Sequence, residues 1–91
     1  MMSVQIKTYQ LEPTMYGDCL IEMPKNAEIL SIVVVNGRPF ISAIVDTSLD
    51  NENVSFFIEY PNKSRESIPY VDYIGVFVIN RLIGHVFILN K

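Results

Sequence analysis

The sequence has no tryptophan, one cysteine, four scattered glycines and few charges of either sign. Each shortage excludes something. The single cysteine, Cys19, rules out an intramolecular disulfide, and no metal-ligand spacing surrounds it. The isolated glycines build no phosphate-cradling loop. Seven Lys and Arg against ten Asp and Glu leave a net charge of −3. Without a basic stripe, general nucleic-acid binding is not expected. The longest apolar runs fall far short of the ~20 residues that span a bilayer, so no membrane association is expected. Gln5 and Lys7 interrupt the first ten residues, which therefore do not read as a signal peptide. No segment keeps helical spacing over three turns; the best short candidate, Pro24 to Glu28, reads as a connection.

What is present is apolar and β-prone. Of 91 residues, 49% are hydrophobic and 19% charged, too apolar for disorder and of a length for one domain, 1–91. That is more apolar surface than a monomer of this size usually carries, so a homo-oligomer is expected. A lone cysteine fits a reducing, intracellular compartment. The sequons Asn53-Val54-Ser55 and Asn62-Lys63-Ser64 are then accidental.

Alternating apolar and polar residues mark seven strands. They run over Val4 to Leu11, Cys19 to Met23, Ile29 to Val35, Arg38 to Val45, Val54 to Tyr60, Tyr70 to Ile79 and Leu82 to Leu89. Glu12 to Asp18, the acidic Asp46 to Asn53 and Pro61 to Pro69 read as loops, and Pro24 ends the second strand. Gly75 inside the sixth strand predicts a bulge or a close packing approach. The pattern predicts an all-β fold: a small antiparallel β-sandwich or a partly open barrel.

Asn36-Gly37 between apolar runs is the strongest local signal, because both central residues of a type I′ turn need positive φ. With these two as the loop, Val35 faces Arg38, Val34 faces Pro39, Val33 faces Phe40, Ile32 faces Ile41, Ser31 faces Ser42 and Leu30 faces Ala43. Pro39 falls on a non-hydrogen-bonded pair, where its missing N–H costs nothing. Leu30, Ile32, Val34, Ile41, Ala43 and Val45 then form a core face. The other face mixes Ile29, Val33, Phe40 and Ile44 with Ser31, Ser42 and Arg38. It is either a contact surface or ordinary scattered surface residues.

Candidates for chemistry are sparse. His85 is the only histidine, and no nucleophile motif accompanies it or Cys19. Asp46, Asp50 and Glu52 share a loop without the spacing of a calcium site. No catalytic residue, metal or cofactor is expected. A ligand would be held by loop and strand-end residues: Arg38, Arg65 and Arg81 for an anion, with His85 and Tyr73 beside them. Arginine suits phosphate through paired hydrogen bonds, and tyrosine can stack a base.

Three segments carry a resemblance. Glu22-Met23-Pro24-Lys25-Asn26-Ala27-Glu28-Ile29-Leu30, then Tyr73-Ile74-Gly75-Val76-Phe77, then His85-Val86-Phe87 occur in this order. The chain resembles a family of short, uncharacterised bacteriophage proteins with such segments. Asn26 stands where that family often has glycine, and the tryptophan often seen in its first strand is missing. The stretch from Asp46 to Tyr60 does not match well. The resemblance implies a phage accessory protein in the cytoplasm of the host bacterial cell. Its expected function is binding: counter-defence by sequestering a small anionic, nucleotide-type signal as a homo-oligomer. The alternative is a protein-interaction module that inhibits a host defence protein or serves the virion.

Overall fold

Alternation every second residue dictates the architecture, since it gives each strand one face to bury. The computed structural model describes residues 3–12, 17–62, 64 and 72–90. Its strands are β1 (Val4–Gln10), β2 (Asp18–Pro24), β3 (Glu28–Val35), β4 (Arg38–Asp46), β5 (Asn51–Glu59), β6 (Asp72–Ile79) and β7 (Leu82–Asn90). They form two antiparallel sheets, β1-β4-β3 and β2-β5-β7-β6. The sheets do not close into a barrel, so the sandwich alternative holds.

The core lies between the sheets. Ile41, Ala43 and Val45 of β4 meet Cys19, Ile21 and Met23 of β2, Val54, Phe56 and Ile58 of β5, and Val86 and Ile88 of β7. Met23, Ile41, Phe56 and Ile58 are fully buried, each contributing roughly 1.5–3 kcal/mol over an exposed position. The sheets approach most closely where β3 runs beside β6 without sharing a ladder. There Gly75 lies under Ile32, whose Cδ1 would stand 3.5 Å from a Cβ at that position. Beside it the β6–β7 register shifts between Tyr73 and Gly75, so of the two predicted reasons for this glycine the bulge occurs, while a side chain here would make only ordinary contact. The expected start of this strand at Tyr70 lies outside the described residues.

The β3–β4 hairpin turns at Asn36 (φ 51°) and Gly37 (φ 74°), and its register agrees with expectation from Val35–Arg38 to Ser31–Ser42. Beyond that point it departs. The ladder shifts between Ile29 and Ser31, and Ile29, not Leu30, lies opposite Ala43. The extra residue of a β-bulge reverses the alternation. Leu30 therefore leaves the predicted core face and is 43% exposed, while Ile29 moves inward to pack on the core; Val34, also expected in the core, is 44% exposed near the hairpin tip. Asn26 takes the left-handed conformation (φ 63°) that glycine would adopt without strain.

The β4–β5 connection is shorter than predicted, because Asn51 to Asn53 already belong to β5. Asp46 organises it. Its Oδ1 accepts hydrogen bonds from Ser48 Oγ (2.6 Å), Ser48 N (3.0 Å) and Ser3 N (3.2 Å), tying the turn to the start of β1. These bonds, the Ser48 hydroxyl foremost, hold the carboxyl below its ordinary pKa. At the other end of β1, Leu11 N donates to Pro39 O at 2.9 Å, so Pro39 still contributes its carbonyl.

Candidate functional site

Short turns bring two hairpin tips to one end of the sandwich. Gly37 and Pro39 of the first tip and Ile79 and Leu82 of the second line one apolar hollow of about 260 Å³, floored by Leu11, Ile58 and Phe77. Beside it lies a second hollow of about 220 Å³, lined by Tyr60, Pro61, Asn62, Arg81, Leu82 and Ile83. Tyr60 and Leu82 belong to both and form the wall between them. Each hollow alone is smaller than an ordinary ligand pocket of ~300 Å³ or more, so a ligand would have to bridge both across the Tyr60–Leu82 wall. Burial raises the Tyr60 phenol pKa, so its hydroxyl stays protonated at neutral pH.

The predicted site residues divide between places. Arg81 lines the second hollow from the β6–β7 turn. Arg38 is exposed at the end of the neighbouring hairpin, opposite Val35. Tyr73 and His85 meet on the outer face of the four-stranded sheet, with Tyr73 Oη and His85 Nδ1 hydrogen-bonded at 3.0 Å. Tyr73 also packs edge-on against Phe87, ring centroids 5.2 Å apart. Ile83 and His85 alternate onto the same face of β7, so this pair continues the surface that begins at Arg81. Arg65 lies outside the described residues.

Cys19 and His85 cannot meet as nucleophile and base. Cys19 pairs with Phe56, which pairs with Ile88, all on the core face. His85 pairs with Glu59 on the opposite face of the same sheet. Burial also raises the thiol pKa, leaving less of the reactive thiolate. Among the described residues, no group of three or more His, Cys, Asp or Glu side chains could hold a metal ion. No helix among them is long and apolar enough to cross a membrane.

A polar cleft of about 250 Å³ was not legible in the sequence. It opens between β1 and β2 and is lined by Lys7, Tyr9, Glu22, Pro24, Thr47 and Asn51. Lys7 Nζ stands 5.9 Å from the Tyr9 ring centroid, and Asn51 Nδ2 donates to Glu22 Oε1 at 3.5 Å. Tyr9 Oη is buried and has no hydrogen-bond partner among the described residues. Only the spatial order of the strands brings these residues together, so no spacing along the chain signals the cleft. Glu59, buried beside His85, was missed too: the alternation sets it with Ser55 and Phe57 on the side away from the core, where burial is not expected. Compared with known proteins, the chain matches no family model, no curated protein and no solved structure.

Proposed function

We propose that this protein works by binding rather than by catalysis, as a homo-oligomer that holds a small anionic ligand of nucleotide type. The observation that carries this reading is the pair of hollows sharing the Tyr60–Leu82 wall, one apolar and one edged by Arg81. Such a pair suits a ligand with a flat body and a phosphate. The body would lie against Tyr60 and the apolar lining, and the guanidinium would take the phosphate through paired hydrogen bonds. Tyr73 on β6 and His85 on β7 offer further polar contacts, and Arg38 offers charge from the neighbouring tip. The resemblance to short phage proteins bears on origin alone; for a phage protein in the bacterial cytoplasm, such binding would serve to sequester a nucleotide signal of host defence. Calorimetric titration with cyclic oligonucleotides and ADP-ribose derivatives tests it. Binding at micromolar affinity or better, weakened about tenfold or more by Arg81→Ala, is expected. Absence of binding by all of them would sink the reading.

A second reading, a module that inhibits a host defence protein or serves the virion, is favoured by one feature. Tyr73, Val76, Val78 and Ile83 form an exposed apolar patch on the outer face of the four-stranded sheet. Recovery of a stoichiometric protein partner from infected cells, lost on Val78→Lys, would favour this reading over the first.

A further inference from the structure

The outer face of the three-stranded sheet is complementary to itself. Its central strand presents Arg38, Phe40, Ser42, Ile44 and Asp46 outward, while Ile41, Ala43 and Val45 point into the core. Read from either end about Ser42, an apolar residue answers an apolar residue and a cation answers an anion. The flanking strands extend the pattern. Thr8 and Ser31 lie beside Ser42, Ile6 and Glu28 beside Ile44, and Gln10 and Val33 beside Phe40. Val33, Val35, Val4 and Ile6 are exposed on this face, Ile6 to 65%.

We propose that a second copy of this chain packs on this face, sheet against sheet, about a two-fold axis passing by Ser42. The inference rests on the homo-oligomer reading above and names its interface. An axis across the strands reverses the partner's β4. Arg38 then meets the partner's acidic end, Asp46 and Glu28, and Phe40 meets its Ile44. An axis along the strands would stack Arg38 on its own copy and acid on acid, so charge selects the first arrangement. The outer face of the other sheet offers no such match: among the described residues its strands carry only acidic charges there, Asp18, Glu22 and Glu59, and the cation Arg81 stands in a turn at the end of the face. Three strands at ~4.8 Å spacing and nine residues at ~3.3 Å rise give a face of roughly 14 by 30 Å. That is roughly 420 Å² from each copy and about 840 Å² in all, below the ~1,200 Å² of a standard specific interface, so the contact belongs to the weak class and dissociation in the upper micromolar range is expected.

Light scattering and sedimentation of the full chain across the micromolar range test this, with Ser42→Arg placing two cations together on the axis. Ser42→Arg should at least halve the mass of the assembly while the circular dichroism and the unfolding transition stay native. Arg38→Glu should weaken association about tenfold or more. Ser42→Cys should be joined into a covalent dimer by a short bis-maleimide, and Val78→Cys on the opposite sheet should not. A monomeric wild type would overturn both this interface and the homo-oligomer reading. An assembly untouched by Ser42→Arg and Arg38→Glu but dissolved by Val78→Lys would overturn this interface alone. Calorimetry on the Ser42→Arg chain reads ligand binding separately.

Discussion

The ring of Phe77 fills the space that a side chain at Gly84 would need. The two residues pair across β6 and β7, and a Cβ on Gly84 would collide with Phe77 Cζ and Cε2 and stand 3.0 Å from Ile58 Cγ2. Phe77 is 4% exposed and cannot swing away into solvent. Gly84→Ala should therefore destabilise the fold by about 1–3 kcal/mol, the usual range for overpacking a core. Gly75→Ala, which would make only ordinary contact with Ile32, should cost less. Urea unfolding of the two variants checks the contrast.

Asp46 predicts an acid-side loss of stability. Hydrogen bonds from Ser48 and Ser3 favour its ionised form in the folded chain, so its folded pKa lies below its unfolded one. The stabilisation is present in full above the unfolded value of ~3.9 and is lost as pH falls through the lower folded value. Asp46→Asn should flatten the acid limb of the stability curve. The carboxyl carbon of Asp46, followed by NMR, should titrate below an ordinary aspartate.

The hairpin turn should be sensitive to side chains that dislike positive φ. Asn36→Ala is expected to cost about 1–2 kcal/mol, since a Cβ is strained in the left-handed region and alanine has no polar group to compensate. Asn36→Gly should be tolerated. Chemical unfolding of both variants distinguishes strain at this residue from a general sensitivity of the loop.

Cys19 should behave as a core residue. Its thiol is buried and its pKa raised, chiefly by desolvation. Labelling by a thiol reagent should be slow in the native chain, and its rate should rise with denaturant in step with unfolding. Rapid labelling in buffer would show that β2 opens locally.

The strands and the turn were readable because they depend on near neighbours. Alternation marks Cys19, Ile21 and Met23 as one face, and Asn36-Gly37 fixes a register by its own backbone preference. The bulge at Leu30 was not readable, since no glycine or proline announces it and Ile29 and Leu30 are equally apolar. Arg81 could be named as a loop cation, but its neighbours Tyr60 and Pro61 belong to another strand's end. Lys7 and Glu22 face one cleft only because β1 pairs with β4 and β2 with β5, and such distant pairings leave no periodic trace.

Those distant pairings also set an order of events. β1 finds its ladder partner only in β4, with Val4 opposite Asp46, and β2 finds its own only in β5. The hairpins β3–β4 and β6–β7 close over two-residue turns and can form at once. The entropy of closing the longer loops delays the other three pairings, β1–β4, β2–β5 and β5–β7. β1 is thus synthesised before its partner β4 and docked late, and for that interval its apolar residues have no ladder to join. Amide exchange in the finished protein should reach β1 before the hairpins, and a chain stalled short of Asp46 should be the form most prone to aggregate.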